Sequence, residues 1–136
     1  MQRACEVFKA IADETRLRIV NLMLRSSEPL CVCELMDALH LPQYQISRHL
    51  SVLKSAHLVT VNREGTWAYH SLETGDSFAV QLWDFLRTVL PTEETEKDLR
   101  GLELRLALRS GTKCVIGVVP SDDKPGDHTL GRSKTK

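Results

Sequence analysis

Pro42-Gln43-Tyr44-Gln45-Ile46-Ser47-Arg48-His49-Leu50 is the stretch that decides the fold. Ile46 and Leu50, with Leu53 beyond them, stand at i, i+4 and i+7, the spacing of one inward stripe on a helix. The opposite face carries Tyr44, Arg48 and Ser51, flanked by Gln45 and Ser47. Just upstream, Glu34-Leu35-Met36-Asp37-Ala38-Leu39 reads as a short helix and His40-Leu41-Pro42 as the turn that follows it. A short helix, a brief turn and a second helix with a polar outer face form the layout of a helix-turn-helix.

Charge along the chain agrees with that layout. Eighteen Lys plus Arg balance eighteen Asp plus Glu over 136 residues, which on its face argues against a nucleic-acid partner. The average conceals an asymmetry. Between Asp37 and Glu64 there is no acid, while Arg48, Lys54 and Arg63 fall inside that window with His40, His49 and His57. From Glu73 to Asp98 the balance reverses, with seven acids against Arg87 and Lys97. A locally basic surface is what contact with phosphates requires.

Working outward, Leu58–Asn62 and Thr66–Leu72 read as two strands, rich in β-branched and aromatic residues, around Arg63-Glu64-Gly65. A hairpin placed directly after a helix-turn-helix makes a winged helix, mainly α with a β-hairpin wing, whose tip residue Arg63 reaches backbone or minor groove. Towards the N-terminus, Cys5 to Ile11 reads as a short helix, and Asp13 caps a second from Glu14 to Leu24 with Leu17, Val20 and Leu24 as its buried stripe. Ser77 to Leu90 is apolar beyond a single stripe, through Phe78, Val80, Leu82, Trp83, Phe85, Leu86, Val89 and Leu90, so its second face is expected to meet a partner subunit. Pro91 stops it, Thr92 caps a further helix with acids in its first turns and a Leu99, Leu102, Leu106 stripe, and Gly111 ends that helix. The expected organisation is a DNA-binding and dimerisation domain over 1–91, an added helix and Cys114 segment over 92–119, and a disordered tail over 120–136. No apolar run approaches the roughly 18 residues of a membrane span, and a soluble, cytoplasmic protein is expected.

In a reducing compartment the four cysteines, Cys5, Cys31, Cys33 and Cys114, read as buried thiols, ligands or redox groups before they read as disulfides. Cys31 and Cys33 open the first helix of the helix-turn-helix. Residues two apart on a helix point roughly 200° away from each other, so one ion held by both is expected to need, or to cause, an unwound turn there. Their place at a helix N-terminus is expected to ease their ionisation. Thiolates select soft ions. As(III) or Sb(III) suits three of them in a pyramid, and Cd(II) or Pb(II) three or four. Cys114, on a segment able to fold back, Cys5, and a two-sulfur site completed by an outside thiol or water are the open choices for the third position, with Cys114 slightly preferred.

Ala12-Asp13-Glu14-Thr15-Arg16-Leu17-Arg18-Ile19, Cys31-Val32-Cys33-Glu34-Leu35, Ile46-Ser47-Arg48-His49-Leu50 and the wing through Tyr69 together resemble the ArsR/SmtB family of metal-sensing winged-helix repressors. The resemblance runs from about Phe8 to Leu90 and matches several separate motifs in order. It implies a homodimer that represses its own operon and leaves the operator when a thiophilic ion binds. In the arsenic-sensing branch it implies a third cysteine three residues after the Cys-Val-Cys motif, where this chain has Met36. In the cadmium and lead sensors an N-terminal cysteine like Cys5 completes the site. The dimer-helix ligands of the zinc sensors have no counterpart, because Asp76 to Leu90 contains no histidine.

The sequence therefore reads as a metalloid-responsive repressor of double-stranded operator DNA, with As(III) or Sb(III) as inducer and Cd(II) or Pb(II) as the alternative. Gln43, Tyr44, Gln45, Ser47, Arg48, His49, Ser51, Lys54 and Arg63 are the candidate DNA contacts. A thiol redox switch and a winged helix used only for protein contacts are the rival readings. No small organic substrate is expected, and no cysteine stands in a setting that provides a base and oxyanion donors for an enzyme.

Overall fold

The computed structural model describes residues 1–111, 113–115 and 117. Its elements run α1 (Gln2–Ile11), α2 (Glu14–Arg25), α3 (Val32–Leu39), α4 (Gln43–Ser55), β1 (Val59–Glu64), β2 (Trp67–Leu72), α5 (Ser77–Val89) and α6 (Thr92–Leu106). This is a winged helix-turn-helix with one helix added after it. The expectation for the tail after Pro120 lies outside the described residues.

Local chemistry explains most boundaries. Asp13 caps α2 by accepting the Arg16 N–H at 3.1 Å. His40 ends α3 in the left-handed region, φ 58°, where its N–H reaches the Met36 carbonyl. The wing strands pair antiparallel from Val59↔Leu72 to Glu64↔Trp67, so the turn is Gly65-Thr66, one residue later than expected, with Gly65 supplying φ 66°. Arg63 consequently sits in β1 opposite Ala68 rather than at the tip. A short third rung joins the sheet: Leu30 and His70 exchange both backbone hydrogen bonds, at 2.9 and 2.8 Å.

The core is one cluster in which Ile19, Val20, Leu22, Leu30, Leu35, Ile46, Leu53 and Leu58 are wholly buried. The stripe of α2 is wider than expected, since Ile19 to Met23 are all buried and Leu17 and Leu24 only partly, because α2 is packed by α1, α4, α5 and α6 together. Helix α6 begins after Pro91, and Thr92 is its first residue rather than its cap; Thr95 Oγ donates to the Pro91 carbonyl at 2.9 Å instead. It stops at Leu106, ahead of Gly111, where Leu108 and Arg109 tighten onto the carbonyls of Arg105 and Leu106.

Far from being an appendage, α6 lies along α3 and packs on α2, with Leu102 buried in the core. Gly101 is what allows the approach: a Cβ there would stand 2.9 Å from the Ala38 carbonyl oxygen. Arg18 on α2 holds the other end of α6 through a two-pronged bond to Asp98, 2.9 Å on each side.

Candidate metal centre and nucleic-acid interface

Cys31 lies one residue ahead of where a helical reading places it. It is the N-cap of α3, extended at φ −87°, ψ 160°, and Cys33 is the second helical residue. A cap residue is free of the helical repeat, so the 200° separation does not apply and no unwinding is needed for the two sulfurs to face one place. The cap is a box: Cys31 Sγ accepts the Glu34 N–H while the Glu34 carboxylate accepts the Cys31 N–H at 2.9 Å.

The third sulfur arrives from beyond α6. Cys114 Sγ is 3.8 Å from Cys33 Sγ, and Cys31, Glu34 and Cys114 place a ligand atom each within 4.8 Å of one another. All three cysteines are buried, at 3% exposure or less. Cys5 is not among them; it is exposed on α1. Met36 packs against the core instead of turning to the sulfurs. Cys114 is also pinned to the wing, since its N–H donates to the Tyr69 hydroxyl at 3.0 Å, and neighbouring Lys113 pairs with Glu64 of β1.

Two arginines surround this cluster, Arg105 in the last turn of α6 and Arg109 just past its end, and sequence reasoning passed over both. Arg105, 1% exposed, donates from Nε to Asp37 at 2.7 Å and from Nη2 to Cys33 Sγ at 3.4 Å and the Gly117 carbonyl at 2.8 Å. Arg109 grips both oxygens of Glu34 at 2.7 and 2.8 Å, bonds the Pro29 carbonyl at 2.6 Å and lies over the Tyr69 ring. Two acids at i and i+3 on α3 thus meet two arginines at i and i+4, one in the last turn of α6 and one just past it. That matched spacing was the available signal, together with Leu102 and Arg105 sharing a face three residues apart.

The ease of ionisation expected at a helix N-terminus is not what the site displays. Hydrogen bonding to Cys114, with burial added, outweighs the lowering pull of the Cys31 hydrogen bond and pushes the Cys33 thiol up to about 12. Cys31 is raised as well, through its bonds to Cys114 and Cys33 and then through burial. Two raised thiols held against Cys114 in this way form a closed group that a thiophilic centre can displace protons from. The donor set fits a soft, three-sulfur ion. Glu34 is the only carboxylate near the sulfurs among the described residues, and Arg109 and the Cys31 N–H already engage its oxygens.

The second region is the outer face of α4. Gln43, Tyr44, Ser47, Arg48, Ser51 and Lys54 are exposed, as is Arg63 on β1, while Gln45 is half-buried. His49 is a correction: it is buried, with Nδ1 3.0 Å from Arg16 Nη1 and 4.0 Å from Asp13. Ile46, His49, Leu50 and Leu53 form one i, i+3, i+4, i+7 stripe, so His49 belongs to the inward face and not to the DNA face. Burial lowers its pKa below the usual imidazole value.

A third surface is apolar. Phe8 of α1 and Phe85 of α5 are 57% and 59% exposed, and with Phe78 and Leu82 they line a groove of about 580 Å³. Exposed Val89, four residues beyond Phe85, continues this apolar row along α5, the second face expected of that helix.

Against known proteins, the family model described as bacterial regulatory protein, arsR family, matches residues 13–61. The chain is similar to an uncharacterized HTH-type transcriptional regulator of Methanocaldococcus jannaschii, 44% identical over 69 residues, covering 51% of this chain and 76% of that protein. It is 50% identical over 66 residues to an arsenic resistance transcriptional regulator of Pseudomonas putida, covering 48% of this chain and 51% of the relative. To the HTH-type transcriptional repressor SmtB of Mycobacterium tuberculosis it is 48% identical over 65 residues, 48% of this chain and 47% of that one. The chain thus spans about half the length of the two latter relatives. The family match takes in Cys31, Cys33 and the first residues of the wing, and stops short of Arg105, Arg109 and Cys114.

Proposed function

Because the chain belongs to the arsR family of bacterial regulatory proteins, and so to transcriptional regulators rather than enzymes, we propose that it is a homodimeric repressor released from its operator by As(III) or Sb(III). The observation that carries this reading is the convergence of Cys31, Cys33 and Cys114 at the start of α3. These three sulfurs would hold the ion, which supplies a trivalent centre satisfied by three thiolates. Names borne by relatives, arsenic resistance regulator and SmtB, support a metal or metalloid inducer. The apolar faces of α1 and α5 are the surface on which two copies would meet.

The residues around the sulfurs supply the coupling. Leu30, next to Cys31, is bonded to β2 through His70; Cys114 is bonded to β2 through Tyr69. Both sulfur-bearing segments are therefore fastened to the wing, and α3 leads through His40-Leu41-Pro42 into α4. Any change in the spacing of the sulfurs is delivered to the two parts that must grip DNA together. Release follows if the DNA-free arrangement holds the ion more tightly than the DNA-bound one.

The test is a gel shift with the DNA upstream of the protein's own gene. A salt-sensitive complex that dissociates with sodium arsenite is expected, and Cys31→Ser or Cys33→Ser should bind DNA without responding. Absence of a specific complex overturns the repressor reading, and wild-type response in both variants places the site elsewhere. If cadmium or lead salts release the complex and arsenite does not, Glu34 becomes the candidate fourth donor. The 3.8 Å approach of Cys33 and Cys114 favours a second reading, a thiol switch in which peroxide takes two electrons and becomes water while the thiols lose their protons and form a disulfide. Release by peroxide but not arsenite would select it.

A further inference from the structure

The sulfurs are sealed on most sides. The core lies beneath α3, and on the α6 side the Arg105–Asp37 and Arg109–Glu34 pairs close the wall, with side chains at 4% exposure or less. A cavity of about 170 Å³ nevertheless touches Cys31 and Cys33. Its other walls are Gln43, the first residue of α4, and Arg63, Thr66 and Trp67 of the wing. Gln43, Arg63 and Thr66 are exposed, so the cavity opens between the recognition helix and the hairpin.

That mouth lies on the side from which DNA would be gripped. We infer that the inducer reaches the cysteines between α4 and the wing, and that a seated operator closes this entrance. The inference rests on the repressor reading given above and adds a kinetic order to it. A duplex held by the N-terminus of α4 and by Arg63 spans both rims of the cavity, leaving no gap for even a small neutral solute such as arsenous acid. The protein then takes up inducer only during its excursions off DNA. Arsenite would not evict the repressor; it would capture the operator-free dimer and hold it there. The apparent affinity for inducer falls in proportion to the operator-free fraction.

The experiment mixes the full chain, saturated with a fluorescent operator duplex, with rising sodium arsenite in a stopped-flow instrument. Near-ultraviolet thiolate–arsenic absorbance reports uptake, and duplex anisotropy reports release. Free protein should take up arsenite at a rate proportional to its concentration. The saturated complex should level off at the spontaneous dissociation rate measured with excess unlabelled duplex. Uptake by the complex that rises past that rate overturns the closed entrance. An ion-free readout accompanies it: iodoacetamide labelling of Cys33 should slow at least tenfold when operator is bound, while exposed Cys5 labels equally with and without DNA. Equal labelling of Cys33 in both states also overturns it. Free protein that takes up no arsenite at these cysteines instead defeats the functional reading itself, so the two failures are distinct.

Discussion

The two helices of the helix-turn-helix are built on opposite terms. Helix α3 has eight residues, six of them buried, because α4, β2 and α6 all pack against it. Helix α4 has thirteen, of which four are buried, and the polar residues of its outer face are exposed among the described residues. Covering α3 in this way turns it into a place where charges and thiols are held in fixed contacts; leaving α4 open keeps its polar side chains available. Sensing and reading therefore occupy adjacent helices with different environments, joined by a three-residue turn and by the wing.

The comparison breaks most visibly at the third sulfur. Cys114→Ser should leave DNA binding intact, lower the sulfur coordination of bound arsenic from three to two in X-ray absorption, and weaken the arsenite response by more than the roughly 10–100-fold that losing an outer-shell partner costs. Cys5→Ser, on exposed α1, should change neither. The reverse pattern would transfer the site from the α3–α6 side to the N-terminal helix.

Buried charge gives the next largest effect. Arg105 and Asp37 have side chains 1% and 3% exposed. Removing one partner by Asp37→Asn or Arg105→Met strands the other and should destabilise the fold by about 3–5 kcal/mol, seen as a lowered denaturation midpoint. The double change Asp37→Leu with Arg105→Met should recover most of that loss. On α4, by contrast, Ser51→Ala should stay within about 0.5 kcal/mol of wild type. Single variants of the pair that unfold like wild type would mean that α3 is no more fixed than α4.

Reading is the mirror case. Arg48→Ala should weaken operator binding by about 1–3 kcal/mol with an unchanged denaturation midpoint, and Lys54→Ala should lower the salt slope of binding by about one. A loss of stability in either variant would show that the outer face of α4 is not the free surface its exposure describes.

Much of this frame was legible in sequence because it depends on neighbours. The Asp13 cap, the Ile46, Leu50, Leu53 stripe, the hairpin and the pairing of Cys31 with Cys33 are all local patterns. What escaped depends on distance or on a single residue of phase. Arg105 and Arg109 drew no notice in the sequence because their acids lie 68 and 75 residues away. Gly101 gains its meaning only when Ala38 is set against it. Cys31 changed meaning by being a cap instead of a helical position, and His49 by completing a stripe already evident at Ile46, Leu50 and Leu53.

His49 supplies the smallest and most discriminating test. Its neutral ring is 3.0 Å from Arg16 Nη1, in position to accept its hydrogen bond, with Asp13 nearby, so the contact ties α4 to α2 beneath the reading face. Burial, then the neighbouring Arg16 and Arg48 charges, outweigh the pull of Asp13 and hold its pKa below the ordinary imidazole value; burial does the same for His70 behind Leu30, with Lys54 and Arg63 adding to it. Below about pH 6.5 the unfolded chain then binds protons that the native one refuses. The stabilising contribution is complete above that pH and is lost as pH falls towards the folded values, by at most about 1.4 kcal/mol per histidine per pH unit. Denaturant unfolding between pH 7.5 and roughly 5.5, above most carboxylate titration, should show stability declining in the wild type and a shallower decline in His49→Gln. Identical slopes would mean that α4 keeps its inner face whether or not that ring is charged, and that its attachment to α2 rests on Ile46, Leu50 and Leu53 alone.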